Sequence, residues 1–189
     1  MSANRWLAIW LFIDALRCTV WFRYTLELPD AITAIGLLVL VMSVWRRTRP
    51  QAALTSPLAW VVTLGSLVVP LLYTGLPDVS ASGSARLLRA CGASLFLWSA
   101  LSLRDCFSVL PQSRRVVTTG PYRWMRHPMY LAYLIADAAY WFPDGMANAR
   151  GLWFVEAGLL CVRATLEERC LVQTLGSQSN RCVRSCGGS

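Results

Sequence analysis

The segment RRVVTTGPYRWMRHPMYL, Arg114 to Leu131, is basic and aromatic, holds the chain's one histidine, and lies between two strongly apolar segments. Polar chemistry framed on both sides by apolar sequence belongs at a membrane surface. Within the segment, Gly120-Pro121 makes a turn, and Tyr122 to Arg126 forms a short link after it. Proline suits the first turn of a helix, so the spacing predicts a helix beginning at Pro128 with His127 at its cap. The backbone N–H groups of Met129, Tyr130 and Leu131 would then face Arg126 and His127. A helix N-terminus flanked by Arg is an anion site, for a carboxylate or a lipid phosphate. The plainer reading is that basic and aromatic residues at such a helix start only anchor it at the interface.

The rest of the chain fits a membrane setting. Its 189 residues are 56% hydrophobic with nine Trp, and the mean hydropathy of +0.46 exceeds what a soluble domain of this size needs. Six apolar segments run from Trp6 to Phe22, Ala31 to Trp45, Pro57 to Tyr73, Leu87 to Leu103, Pro128 to Phe142 and Leu152 to Val162. A span needs about 20 residues, with a lower limit near 17, so the second, fifth and sixth are short. The expectation is an all-α polytopic protein with five to six transmembrane helices. The last two segments, separated by PDGMANARG, form a helical hairpin in this reading. One membrane domain covers the chain, with four helices in 1–103, a core in 104–176 and an irregular tail in 177–189.

All eighteen basic residues are Arg, and the formal charge is +8. With RRTR (residues 46–49) in the cytoplasm, six crossings place thirteen of the eighteen Arg on that side. Both termini and the RHP loop are then cytoplasmic, the 74–86 loop is a passive outer connection, and a bacterial inner membrane is the expected location. Arg residues spread between apolar spans, rather than gathered on one polar domain, argue against nucleic-acid binding. The first segment is retained as a span, because Asp14 and Arg17 interrupt its apolar core and no cleavage site follows. These two lie one helical turn apart and neutralise each other. Seven Cys form no framework, and Cys182 and Cys186 lack a second ligand pair, so no metal is expected. Asp137 and Glu156, ionisable within short apolar segments, are candidates to line an acceptor tunnel.

The run FSVLPQSRRVVTTGPYRWMRHPMYLAYLI, followed by RATLEERCL, resembles the isoprenylcysteine carboxyl methyltransferase family and its bacterial relatives. That family carries a GPYRxxRHPxYxG block and a downstream EExxL. The likeness covers about Leu103 to Leu175 and rests on Gly120, Pro121, Tyr122, Arg123, Arg126, His127, Pro128 and Tyr130 at fixed spacing. Broader neighbours are phospholipid N-methyltransferases and, more distantly, membrane sterol reductases. The resemblance implies an S-adenosylmethionine-dependent membrane methyltransferase with a cytoplasmic cofactor pocket and an isoprenylcysteine-like or other lipidic acceptor. By position, Val117, Thr118, Gly120, Tyr122, His127, Pro128, Tyr130 and Glu168 would bind cofactor, and Arg126, Arg163 and Glu167 would act in catalysis, with Arg169 behind them. The chain departs from the pattern at Ala132, where Gly is usual, and in a tail without aromatic residues.

The charges suit that cofactor, which carries a carboxylate, an ammonium and a sulfonium. A carboxylate acceptor is already ionised near neutrality, so it needs orientation by an Arg more than a general base. An amine or thiol acceptor would need His127 or a Glu to take a proton. Glu167 and Glu168 also read as an ordinary solvated face with i,i+4 pairing to Arg. Three functions stay open on sequence: a methyltransferase acting on a carboxylate or an amine, an NADPH-dependent membrane reductase, and a non-catalytic membrane protein.

Overall fold

The computed structural model describes residues 12–16, 19, 27–46, 52–53, 57–72, 82–103, 112–113, 119–142 and 147–186. Residues 12–16 are helical, and five longer helices follow. α1 (Leu28–Arg46) carries Asp30 in its first turn, and Thr33 Oγ1 donates back to the Pro29 carbonyl at 2.8 Å. An early proline and an early acid suit a helix start, whose N–H groups lack partners. α2 (Pro57–Leu72) is apolar almost throughout. α3 (Gly83–Leu103) begins where the Ser82 carbonyl accepts the Arg86 N–H at 3.0 Å. α4 (Pro128–Asp137) continues as a 3-10 turn through Trp141. α5 (Ala147–Cys186) is the longest, at 40 residues.

α3 is the centre of one layer, with α1 against one side and α4 against the other. Small residues make both contacts close. A Cβ on Gly36 would stand 2.6 Å from the Phe96 ring, and one on Gly92 would stand 2.7 Å from Ala136 and 2.8 Å from the Ala132 carbonyl. Around them Leu37, Leu40, Phe96, Ala100, Met129 and Ala132 form a buried cluster. Arg89 fastens α3 to the start of α1, with 2.8 Å to Glu27 and 2.5 Å to Asp30. The second layer is α2 along α5. Val69 shares a cluster with Ala149, Gly65 faces Leu159, and Ser66 meets Arg163, so the two helices run antiparallel. Trp153 joins the layers by donating to the Leu134 carbonyl at 2.9 Å.

Two short strands, β1 (Ala52–Ala53) and β2 (Gln112–Ser113), pair antiparallel. The pairing sets the connection after α1 beside the one after α3, at one end of the bundle. The fold among the described residues is otherwise helical, as expected.

No helix among the described residues is both long and apolar enough to cross a membrane, where the sequence suggested five to six. α2 has 16 residues, which rise only about 24 Å against roughly 30 Å of hydrocarbon. α4 stops after 10 residues, and α3 carries Arg86 and Arg89 in its first two turns. The helices nonetheless turn large apolar residues outward, among them Leu38 and Met42 on α1, Val61, Leu64 and Val68 on α2, and Phe154 and Val155 on α5. A second difference is the tail. Residues 177–186 belong to α5 instead of being irregular, because no Gly or Pro interrupts the chain between Gly176 and Gly187. Arg17, the proposed partner of Asp14, and most of the 74–86 connection lie outside the described residues.

Candidate active site

Gly120 begins the structure of the site. It opens a 3-10 turn, Gly120–Arg123, with φ +61. That left-handed conformation favours glycine, and a Cβ there would run into Ser102 Oγ on α3. Pro121 is fully buried behind it, and its carbonyl accepts the N–H groups of Trp124 at 3.1 Å and Met125 at 3.2 Å. Trp124 then meets Trp98 of α3 edge-on, with ring centroids 5.6 Å apart. These contacts seat the link on α3 and fix the approach to His127.

Pro128 occupies the first position of α4 and His127 its cap, as the spacing predicts. One detail differs: the Leu131 N–H is used, donating to the His127 carbonyl at 3.3 Å. This is the helix's first i to i−4 bond, so only the N–H groups nearer the start lack partners inside the helix. His127 and Tyr130, one turn apart, stack with centroids 5.2 Å apart and planes 3° from parallel.

α5 brings the acids to this cap. The Tyr130 hydroxyl donates to Glu167 Oε1 at 2.5 Å. His127 lies between the two carboxylates, with Nδ1 3.8 Å from Glu167 and Nε2 3.6 Å from Glu168. Both distances exceed hydrogen-bond range, and the buried Nε2 has no hydrogen-bond partner among the described residues. Adjacent residues on a helix are turned about 100° from one another, so the acids face different ways. Glu167 faces inward to Tyr130 and Arg163, whereas Glu168 faces Arg126, whose Nη1 donates at 3.1 Å. That bond, more than any other influence, holds the Glu168 carboxyl below its usual range, with the charges of Arg126 and His127 acting in the same direction. Burial, and behind it the charge of Glu167, pushes the Tyr122 hydroxyl up, so it remains a protonated donor.

Arg163 is the buried cation of the site, its side chain 8% exposed. Its Nε donates to Glu167 Oε1 at 3.4 Å, its Nη1 donates to Ser66 Oγ of α2 at 3.1 Å, and the guanidinium lies 5.4 Å from the Tyr130 ring centre. The i,i+4 pairing read from the sequence is therefore present, but inside the molecule instead of on a solvated face.

Of the residues singled out, the structure brings together Arg126, His127, Pro128, Tyr130, Arg163, Glu167 and Glu168, with the Tyr122 ring close enough to feel Glu167. Arg126 sits on the outside, its side chain 81% exposed, and Arg169 is exposed as well. Gly120 stands apart as backbone support against α3. Val117 and Thr118 lie outside the described residues. Asp137 of α4 and the buried Glu156 of α5 lie close enough to influence each other. Ser66 went unnoticed in the sequence, where a serine in an apolar helix carries no signal beyond its spacing from Thr63.

No curated protein and no solved structure matches the chain. A family match does exist, and it covers residues 91–173. The matched segment starts in α3, takes in Gly120, the His127 cap and α4, and ends on α5 beyond Glu167 and Glu168. Over residues 91–173, just under half of the chain, the sequence is similar to the isoprenylcysteine carboxyl methyltransferase (ICMT) family.

Proposed function

We propose that the protein is a membrane-embedded, S-adenosylmethionine-dependent methyltransferase that methylates the carboxylate of an isoprenylcysteine-like or other lipidic acceptor. The observation that carries this reading is the closure of the His127–Tyr130 cap onto Glu167 and Glu168, in the segment where the family match lies. A membrane location is supported by the outward-facing Leu, Val, Met and Phe of α1, α2 and α5, since exposed apolar surface of this extent marks contact with lipid or a partner. The helices then form a polytopic bundle. Thirteen of the eighteen Arg on one side support placing the site and both termini in the cytoplasm.

The residues present suit the cofactor. Glu167 and Glu168 offer carboxylates to its ammonium and ribose hydroxyls, and Arg126 and the first N–H groups of α4 offer donors to its carboxylate. The buried Nε2 of His127, without a hydrogen-bond partner, leaves a polar position for a ligand atom to fill. When bound, S-adenosylmethionine supplies an electrophilic methyl group on a positively charged sulfur. The chain's own work is positioning. Arg163 would orient the acceptor carboxylate toward the methyl group that the bound cofactor would supply. Tyr130 and Arg163 hold Glu167 in one rotamer, and the packed rings of His127 and Tyr130 keep water from the reacting atoms. Alignment of this kind can supply on the order of 7 to 11 kcal/mol of the barrier.

Calorimetric titration of the detergent-purified protein with S-adenosylmethionine tests this, with Glu167→Ala as control. Micromolar binding lost in the variant is the expected result; absence of binding by a folded sample would remove the reading.

A further inference from the structure

Thr63 and Ser66 stand one turn apart on α2, in an otherwise apolar helix. Both are buried, Thr63 at 2% exposure and Ser66 at 7%. Ser66 Oγ accepts from Arg163 Nη1 and donates to the Thr63 carbonyl at 2.9 Å. Thr63 Oγ1 is buried with no hydrogen-bond partner among the described residues. A buried hydroxyl costs free energy unless it is bonded, and an unsatisfied one in a folded protein calls for an explanation. Packing alone would be served better by Ala or Val at both positions. α2 also lies outside the matched residues 91–173, so the family segment does not account for these hydroxyls.

We propose that Thr63 and Ser66 form the acceptor-orienting wall of the site: Ser66 positions the Arg163 guanidinium, and the Thr63 hydroxyl meets the anionic headgroup that Arg163 receives. This rests on the methyltransferase reading above. Glu167 anchors the Nε edge of Arg163 from the same helix. Ser66 is a second anchor from a different helix, and the Tyr130 ring lies beside the guanidinium. Three contacts fix a planar group in place and in rotation. Because α2 and α5 run antiparallel, Thr63 lies one turn from Ser66 toward the Glu167 end of α5. An anion paired with Arg163 therefore has a hydroxyl donor available on the cofactor side. In-line transfer is sensitive to such placement, since a displacement of about 1 Å can cost roughly a hundredfold in rate.

The test uses the full chain in detergent and a pair of probes, S-farnesyl-N-acetylcysteine and its methyl ester. The wild type is expected to bind the acid at least tenfold more tightly than the ester. Ser66→Ala and Thr63→Val should each reduce that preference at least fivefold, with the affinity for S-adenosylmethionine within twofold of wild type, and Ser66→Thr should restore it. In transfer assays Ser66→Ala should raise the KM for the acid and lower kcat. Thr63→Val should not lower the unfolding temperature, because it removes only an unbonded hydroxyl; altered acid preference in a fully stable variant is not a packing effect. No acid preference in the wild type, or the same preference in both variants, overturns the proposal even if S-adenosylmethionine binds. An acid preference that follows Thr63 and Ser66 in a protein that does not bind S-adenosylmethionine keeps the anion site and removes the methyltransferase reading.

Discussion

Glu167 is held by a tyrosine hydroxyl and a guanidinium and lies beside an imidazole, and the loss of any one support should be measurable. Tyr130→Phe removes one hydrogen bond to a charged group, worth about 1.5 to 3 kcal/mol. S-adenosylmethionine affinity measured by calorimetry should fall by about tenfold or more. Arg126→Ala should weaken binding too, by exposing Glu168 to an unfavourable contact with bound carboxylate; unchanged affinity in both variants would remove the site assignment. Glu168 adds a pH dependence. Its carboxyl is held low in the folded protein by Arg126, so the stabilisation is present above the ordinary Glu pKa and is lost as pH falls through the depressed folded value. In Arg126→Ala the acid limit of cofactor binding should move up toward the ordinary Glu pKa of about 4.3, as a titration downward from neutrality would show. At this scale the sequence was most informative where residue type and spacing carry the chemistry, in His127, Pro128, Tyr130 and the two Glu. It could not show that Arg126 would lie outside while Arg163 was buried, because both are simply Arg until the helices are assembled.

The helices fit through glycines and alanines. Gly92 of α3 faces Ala132 and Ala136 of α4, which explains how Ala132 fits where the resembled pattern carries glycine: the space is provided from the opposite helix. Gly92→Leu would force the pair apart and destabilise the protein by about 1 to 3 kcal/mol or more, judged from overpacked cores, and thermal unfolding in detergent should show an earlier transition. Gly120→Ala brings about 1 to 2 kcal/mol from its left-handed backbone alone, plus the clash with Ser102. Ser102→Gly in the same chain should recover the clash and leave the backbone part. The start at Pro128 was readable because caps act locally, whereas α3 begins at Gly83, inside the stretch read as a connection. The ends were less so: α4 stops at Asp137 and α5 runs on to Cys186, decisions made by packing and by the absence of a breaker rather than by any positive signal.

Taken whole, the described residues form two helical layers, joined by the Trp153–Leu134 contact. Its helical class was legible from apolar periodicity and composition. The number of crossings was not, since helix length depends on where Arg86, Arg89 and the short α4 fall relative to the bilayer. If the outward apolar faces meet lipid, the protein should stay with membranes through alkaline carbonate extraction; release into the aqueous fraction would remove the membrane reading. Among the described residues, α5 is the helix that α2 mainly packs against, and Val69 and the Ala149 that shares its cluster are far apart in sequence. During synthesis, α2 therefore emerges long before its companion exists. A nascent chain released before Ala147 would leave the apolar side of α2 bare, so the synthesis of α5 sets the moment at which that face becomes safe from aggregation and from quality-control proteases.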